Sequence, residues 1–133
     1  MSKLYIIVFL SFIHLLHAEL INPVNLDSLS KIHVLFEWGQ EPYAIDYNLQ
    51  ISDSNTFNEI IVDINSNNLI YIDKDNLEWQ KQYYWRVRPI YEEINFGEWI
   101  DVNTFYISNA QFNELGVIEA EIYNQELIQE GIT

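Results

Sequence analysis

Cysteine is absent from the 133 residues, and glycine (four), proline (three) and methionine (one) are scarce. Without cysteine the chain cannot be a disulfide-stapled miniprotein, so it must rely on an apolar core. So little glycine and proline excludes a low-complexity linker and leaves no glycine-rich phosphate loop. Basic side chains are few: Lys3, Lys31, Lys74, Lys81, Arg86 and Arg88 face 20 Asp and Glu, for a formal charge of −14. Such a surface repels nucleic acid and anionic lipid, and its first use is solubility. No apolar run is long either. Leu4 to Leu16 is apolar apart from Ser11 and His14, well short of the ~20 residues that cross a bilayer.

That run still has a meaning. Lys3 precedes it, and Leu16-His17-Ala18 follows with a small residue at its end, the order of a secretory signal peptide over residues 1–18. Cleavage is expected to leave a mature chain from Glu19, secreted or periplasmic, with no membrane segment and no cysteine to carry a lipid. Five basic residues then remain against all 20 acidic ones.

Aromatics are plentiful, at 15% of the chain, and Tyr, Phe, Ile and Val suit a half-buried pleated surface. Pro23 fits an edge strand over Leu20 to Val24. Val34, Phe36 and Trp38 alternate with Leu35 and Glu37. Ile45, Tyr47, Leu49 and Ile51 alternate with Asp46, Asn48, Gln50 and Ser52. A helix would scatter those apolar groups around its circumference, so each is a strand with one buried face. Short strands follow over Phe57 to Ile64 and Leu69 to Ile72, separated by Asn- and Ser-rich turns. Tyr83, Trp85 and Val87 share one face of the longest strand, with Tyr84, Arg86 and Arg88 on the other. Asn95-Phe96-Gly97 is expected to make a hairpin turn into Trp99 to Ile107, where the mixed phase predicts a bulge. About seven short strands with regular turns and no useful helix predict an all-β, seven-stranded antiparallel Greek-key sandwich.

The residues then resemble a fibronectin type III-like domain of the immunoglobulin-like sandwich kind. Phe36-Glu37-Trp38 is similar to the family's second strand, and Tyr47-Asn48-Leu49-Gln50-Ile51 to its third. Leu77 to Tyr83 has the Leu and Tyr spacing of its tyrosine corner, although Trp79-Gln80 stands where Pro-Gly is common. Tyr84-Trp85-Arg86-Val87-Arg88 with Gly97-Glu98-Trp99 resembles a bacterial extracellular subset. The resemblance implies a sandwich over 19–108, with Phe36, Trp38, Tyr47, Leu49, Leu77, Tyr83, Trp85 and Val87 as structural core. Residues 109–133 are expected to be a linker and the possible start of a following domain. The segment order is also similar to secreted arylsulfotransferase-like proteins, which would make the chain a fragment of a longer enzyme.

Chemistry is sparse. His14 and His17 leave with the leader, so His33 stands alone, short of the three or four ligands of a zinc site. His33 falls on the polar parity of its strand. Asp73 and Asp75 are weak calcium candidates in a turn that lacks an EF-hand's glycine and distal glutamate. No nucleophile elbow or Cys–His pair exists. No catalytic residue and no cofactor are therefore expected. Surface recognition falls to Tyr84, Arg86, Arg88 and Trp79; Trp79 and Trp99 are read either as exposed platforms for sugar or, as is more common, as buried at the sandwich ends. The competing reading of the arginines is cross-strand ion pairing, opposite the strand of Asp46, Asn48 and Gln50. The expected function is a non-catalytic accessory, docking or adhesion module of an exported protein. Its expected partner is a downstream domain of the same chain, an extracellular protein or a glycan.

Overall fold

The computed structural model describes residues 18–109, which form two packed β-sheets. The expected signal peptide, apart from Ala18, and the expected linker and following segment beyond Asn109 lie outside the described residues. The smaller sheet has three antiparallel strands in the order β1 (Leu20–Asn22), β3 (Val34–Trp38), β6 (Ile70–Asp73). The larger runs β2 (Asp27–Leu29), β9 (Val102–Ile107), β7 (Lys81–Tyr91), β4 (Asp46–Ser52), β5 (Ile60–Ser66), with the two-residue β8 (Asn95–Phe96) against β7. The chain crosses between sheets after β1, β2, β3, β5 and β6 and so wraps a single core.

Alternation decides what fills that core. On β3, Val34, Phe36 and Trp38 point inward, and Tyr47, Leu49 and Ile51 meet them from β4. Tyr83, Trp85 and Val87 enter from β7, and Phe105 and Ile107 from β9. Phe36 packs edge-on against Trp85 (centroids 5.2 Å apart) and Phe105 (5.7 Å), the arrangement ring quadrupoles favour. All eight residues expected as core are buried. Leu77 caps them at the β6–β7 corner, where the Tyr83 hydroxyl accepts the Glu78 N–H at 2.9 Å. This is the phenol-to-backbone clamp of a tyrosine corner. Gln80 occupies the glycine-like position there, with φ 59°.

Several expectations change. Among the described residues the strands number nine rather than seven, because the N-terminal segment splits into β1 in one sheet and β2 in the other and the two-residue β8 pairs onto β7. The switch is held at Pro23, whose carbonyl accepts Trp85 Nε1–H and Asn103 Nδ2–H, both at 3.3 Å. β2 pairs parallel to β9, so the larger sheet is not wholly antiparallel. The reversal after β7 is a 3-10 turn over Glu92–Ile94, and Asn95-Phe96 already pairs back onto β7. β9 keeps an unbroken register with β7 and carries no bulge. The phase changes earlier, in the non-strand residues 97–101.

Candidate functional site

Polar residues alternate outward along β4 and β7, and register sets them side by side. Arg86 lies opposite Gln50 and Arg88 opposite Asn48. On the far side of β4, Gln50 lies opposite Asp63 and Asn48 opposite Asn65. The Arg86 guanidinium donates twice to Gln50 Oε1, from Nε at 3.0 Å and Nη2 at 2.7 Å. Arg88 Nε donates to Asn48 Oδ1 at 3.0 Å. Each amide passes its own N–H to one carboxylate. Gln50 Nε2 donates to Asp63 Oδ2 at 3.1 Å, and Asn48 Nδ2 to Asp63 Oδ1 at 2.7 Å. Asp63 thus balances both arginines through two buried amides rather than by direct contact.

Aromatic rings close over the guanidinium faces. Arg86 Cζ lies 3.9 Å from the ring centres of both Phe57 and Trp99. Arg88 Cζ lies 4.0 Å from Phe96 and 4.3 Å from Trp99. Residues two apart on a strand are about 6.6 Å apart, which admits one indole between the two side chains. Two loops deliver these rings. Phe57 ends a turn closed by its N–H to Ser54 O (3.1 Å), while Ser52 Oγ donates to Glu59 O and accepts Ser54 N–H. Gly97 donates to Pro89 O at 2.8 Å and Ile100 to Val87 O at 2.8 Å, which tethers the segment carrying Trp99 along β7. A Cβ at Gly97 would sit 2.6 Å from Pro89 Cγ, so only glycine permits this approach. Burial, and next the like charge of Arg88, lowers the Arg86 pKa from its ordinary value.

The arrangement alters both readings of the arginines. Arg86 and Arg88 do share a face with Tyr84, but their ring-covered faces are not free to stack on a ligand. Among the described residues they also make no ion pair. Asp46 lies opposite Ile90, and neutral amides take the place of a carboxylate partner. Tyr84 is half-buried between Ser52 and Thr104, whereas Trp79 is 39% exposed at the β6–β7 corner, with no aromatic or cation–π contact to the others among the described residues. Trp99 is half-buried in the arginine stack rather than an open platform for sugar. Asn48 and Gln50 were expected on the neighbouring strand, whereas Phe57, Phe96 and Asp63 escaped the sequence reading because register, not spacing, joins them to the arginines.

Asp73 is fully buried rather than presented to a cation. Its Oδ1 accepts Asn76 Nδ2–H at 2.7 Å and the Tyr71 hydroxyl at 3.2 Å, and its Oδ2 accepts the Asn76 N–H at 3.0 Å. That is an Asx turn closed on itself, and Asp75 stays exposed outside it. Among the described residues no cluster of three His, Cys, Asp or Glu is placed to hold a metal. His33 is exposed.

No family model and no curated protein matches the sequence. Solved structures do match in shape. A Fn3-like protein from Clostridium thermocellum aligns with TM-score 0.52 and 16% identity over 71% of this chain and 93% of its own. The fibronectin type III domain of the human KIAA0970 protein gives 0.52 and 12% identity, over 72% and 74%. An α-L-rhamnosidase from Dictyoglumus thermophilum gives 0.53 and 20% identity over 71% of this chain, which spans 12% of that enzyme. At these identities the likeness shows the fold alone: an all-β, two-sheet sandwich of the fibronectin type III-like kind. None of the three is an arylsulfotransferase, so that expected parent gains no support from them.

Proposed function

We propose that the chain is a non-catalytic accessory and docking module of an exported protein. Fibronectin type III-like domains are typically non-catalytic, and the observation that carries the reading is how this interior is used. Rings and aliphatic side chains from both sheets occupy it. The buried polar groups Asn48, Gln50, Asp73 and Asn103 hydrogen-bond to structural partners instead of facing a cleft. The shape also recurs both as nearly all of a small Fn3-like protein and as 12% of a glycosidase. That second setting favours a variant of the proposal, in which the module belongs to an exported carbohydrate-active enzyme. In either setting the partner is a neighbouring domain, an extracellular protein or a glycan, and the compartment is periplasmic or extracellular.

Two measurements test this. Fusing residues 1–133 to alkaline phosphatase, which is active only after export, should give an active reporter, whereas a fusion lacking residues 1–18 should not. The purified chain should then turn over no nitrophenyl glycoside or aryl sulfate faster than its heat-unfolded control. Turnover that persists through purification, or a silent reporter, overturns the proposal.

A further inference from the structure

One end of the sandwich departs from what stability alone would select. Glu41-Pro42-Tyr43-Ala44 is a tight turn closed by Ala44 N–H to Glu41 O at 3.2 Å, with Pro42 leading and Tyr43 at φ 66°. That third position belongs to glycine, since a Cβ is crowded at positive φ. Tyr43 is nonetheless 92% exposed, making none of the contacts that would compensate. At the same end Ile94, a β-branched residue, takes φ 59° with 77% exposure. Backbone strain of this kind clusters at functional sites, and here both strained residues are large apolar side chains in open water; Leu26, at φ 66° and 79% exposed, is a third such residue away from this end.

Beside these two tips lies an open cleft of about 810 Å³. Tyr91, Phe96 and Trp99 supply aromatic wall, and Glu41 and Glu98 are its charged residues. The salt bridges of the described residues all belong to Lys81, at the opposite end, so among the described residues no cation lies within 4 Å of either glutamate. In the uncleaved chain Glu41 Oε2 accepts the Ala18 N–H at 3.0 Å. Exposed Glu92 on the reversal after β7 extends the acidic rim.

We propose that this end is a docking site for a partner polypeptide that inserts an arginine or lysine side chain between the two glutamates. The partner's apolar neighbours would rest on Tyr43 and Ile94. The proposal rests on the docking reading above and names its face. Charge complementarity selects the occupant: carboxylates beside aromatic rings suit a cation, by ion pairing and by attraction to the ring faces. A neutral glycan would use the rings and leave the carboxylates without a role.

The test is a heteronuclear NMR titration of the full chain with the capped peptide Gly-Leu-Arg-Leu-Gly. Capped Gly-Leu-Glu-Leu-Gly and maltohexaose serve as comparators. The arginine peptide should give saturable shifts at the backbone amides of residues 41–45 and 94–99, and the comparators none. Glu41→Gln combined with Glu98→Gln removes both charges at nearly constant side-chain size and should weaken binding about tenfold. Tyr43→Gly combined with Ile94→Gly should also weaken binding while raising thermal stability, because it relieves both positive-φ positions. Lost binding in a more stable protein cannot be misfolding. Saturable arginine-peptide shifts confined to another face would leave docking standing but sink this site. Shifts with maltohexaose at the cleft, unchanged affinity in the glutamate variant, or no saturable shift with the arginine peptide would each overturn it.

Discussion

At φ 59° Gln80 sits where a Cβ crowds the following carbonyl, at a disadvantage to glycine of about 1 kcal/mol. Its side chain is exposed and makes no hydrogen bond among the described residues. Gln80→Gly should therefore raise stability by about 0.5 kcal/mol, the strain relieved less the added freedom of the unfolded chain. Urea midpoints measured beside Gln80→Ala check this. Equal midpoints for the two variants would mean that the corner does not hold its left-handed turn in solution. Three residues on, the Tyr83 hydroxyl accepts the Glu78 N–H. Tyr83→Phe preserves the packed ring but leaves that amide unpaired, a loss of about 1–2 kcal/mol. The same phenol gives the protein an alkaline limit. Burial is the largest influence on its pKa and raises it above the ordinary value near 10. The native state thus keeps a proton that the unfolded chain releases. The corresponding stability is fully present below about pH 10 and is lost as pH rises through the folded value. Tyr47, raised chiefly by burial as well, acts in the same direction. Urea midpoints from pH 8 to 11 should fall above pH 10, and fall less steeply in Tyr83→Phe. A parallel fall in both proteins would assign the alkaline limit to other groups.

Between strands, the arginine stack does the work that a covalent staple might do in a chain with cysteines. It fastens the β4–β5 loop through Phe57 and the β8–β9 segment through Trp99 onto a single strand. Trp99→Ala removes two cation–π contacts and a half-buried indole, so it should destabilise by about 2–3 kcal/mol. A double-mutant cycle on Arg88→Ala and Phe96→Ala should return a coupling of about 0.5–1 kcal/mol. Zero coupling would show that the two side chains merely lie near each other. Asp63→Ala should be worse than its exposed position suggests, by about 1–3 kcal/mol, because it strands the buried Gln50 amide N–H, whereas Asn48 keeps Asn65 and Ile64 as acceptors. None of this was written along the chain. Alternation shows which face of a strand is buried, and so Trp38, Leu49 and Trp85 could be assigned to the core from their parity. Three-residue strands such as β1 and β2 carry too few residues for a period, so the switch between sheets was hidden. Trp99 shares the odd parity of Phe105 and Ile107 but turns outward, since parity has no meaning across the non-strand residues 97–101. The Arg86–Gln50 pair spans 36 positions, and only the β4–β7 register brings it together.

Charge acts on the molecule as a whole. The chain carries a formal −14, and the ion pairs among its described residues are the contacts of Lys81 to Asp53 at 3.4 Å and to Glu78 at 3.6 Å. Arg86 and Arg88 are committed to rings and amides. Most of the described carboxylates therefore have no cationic partner among the described residues, and folding draws them closer than they lie in the extended chain. Screening should relieve that repulsion, since the Debye length shrinks from about 30 Å at 10 mM salt to about 3 Å at 1 M. Raising NaCl between those limits at pH 7 should increase the unfolding free energy by about 1 kcal/mol, the opposite of a protein held by surface salt bridges. The same experiment judges calcium. Both oxygens of Asp73 are taken by Asn76 and Tyr71, so replacing that contact with a metal would have to dismantle the turn. Calcium and magnesium at matched ionic strength are then expected to shift the urea midpoint equally, both through screening. A larger shift with calcium that disappears in Asp75→Asn would restore the turn as a cation site. A midpoint that falls with NaCl would mean that attraction, not repulsion, governs this acidic surface.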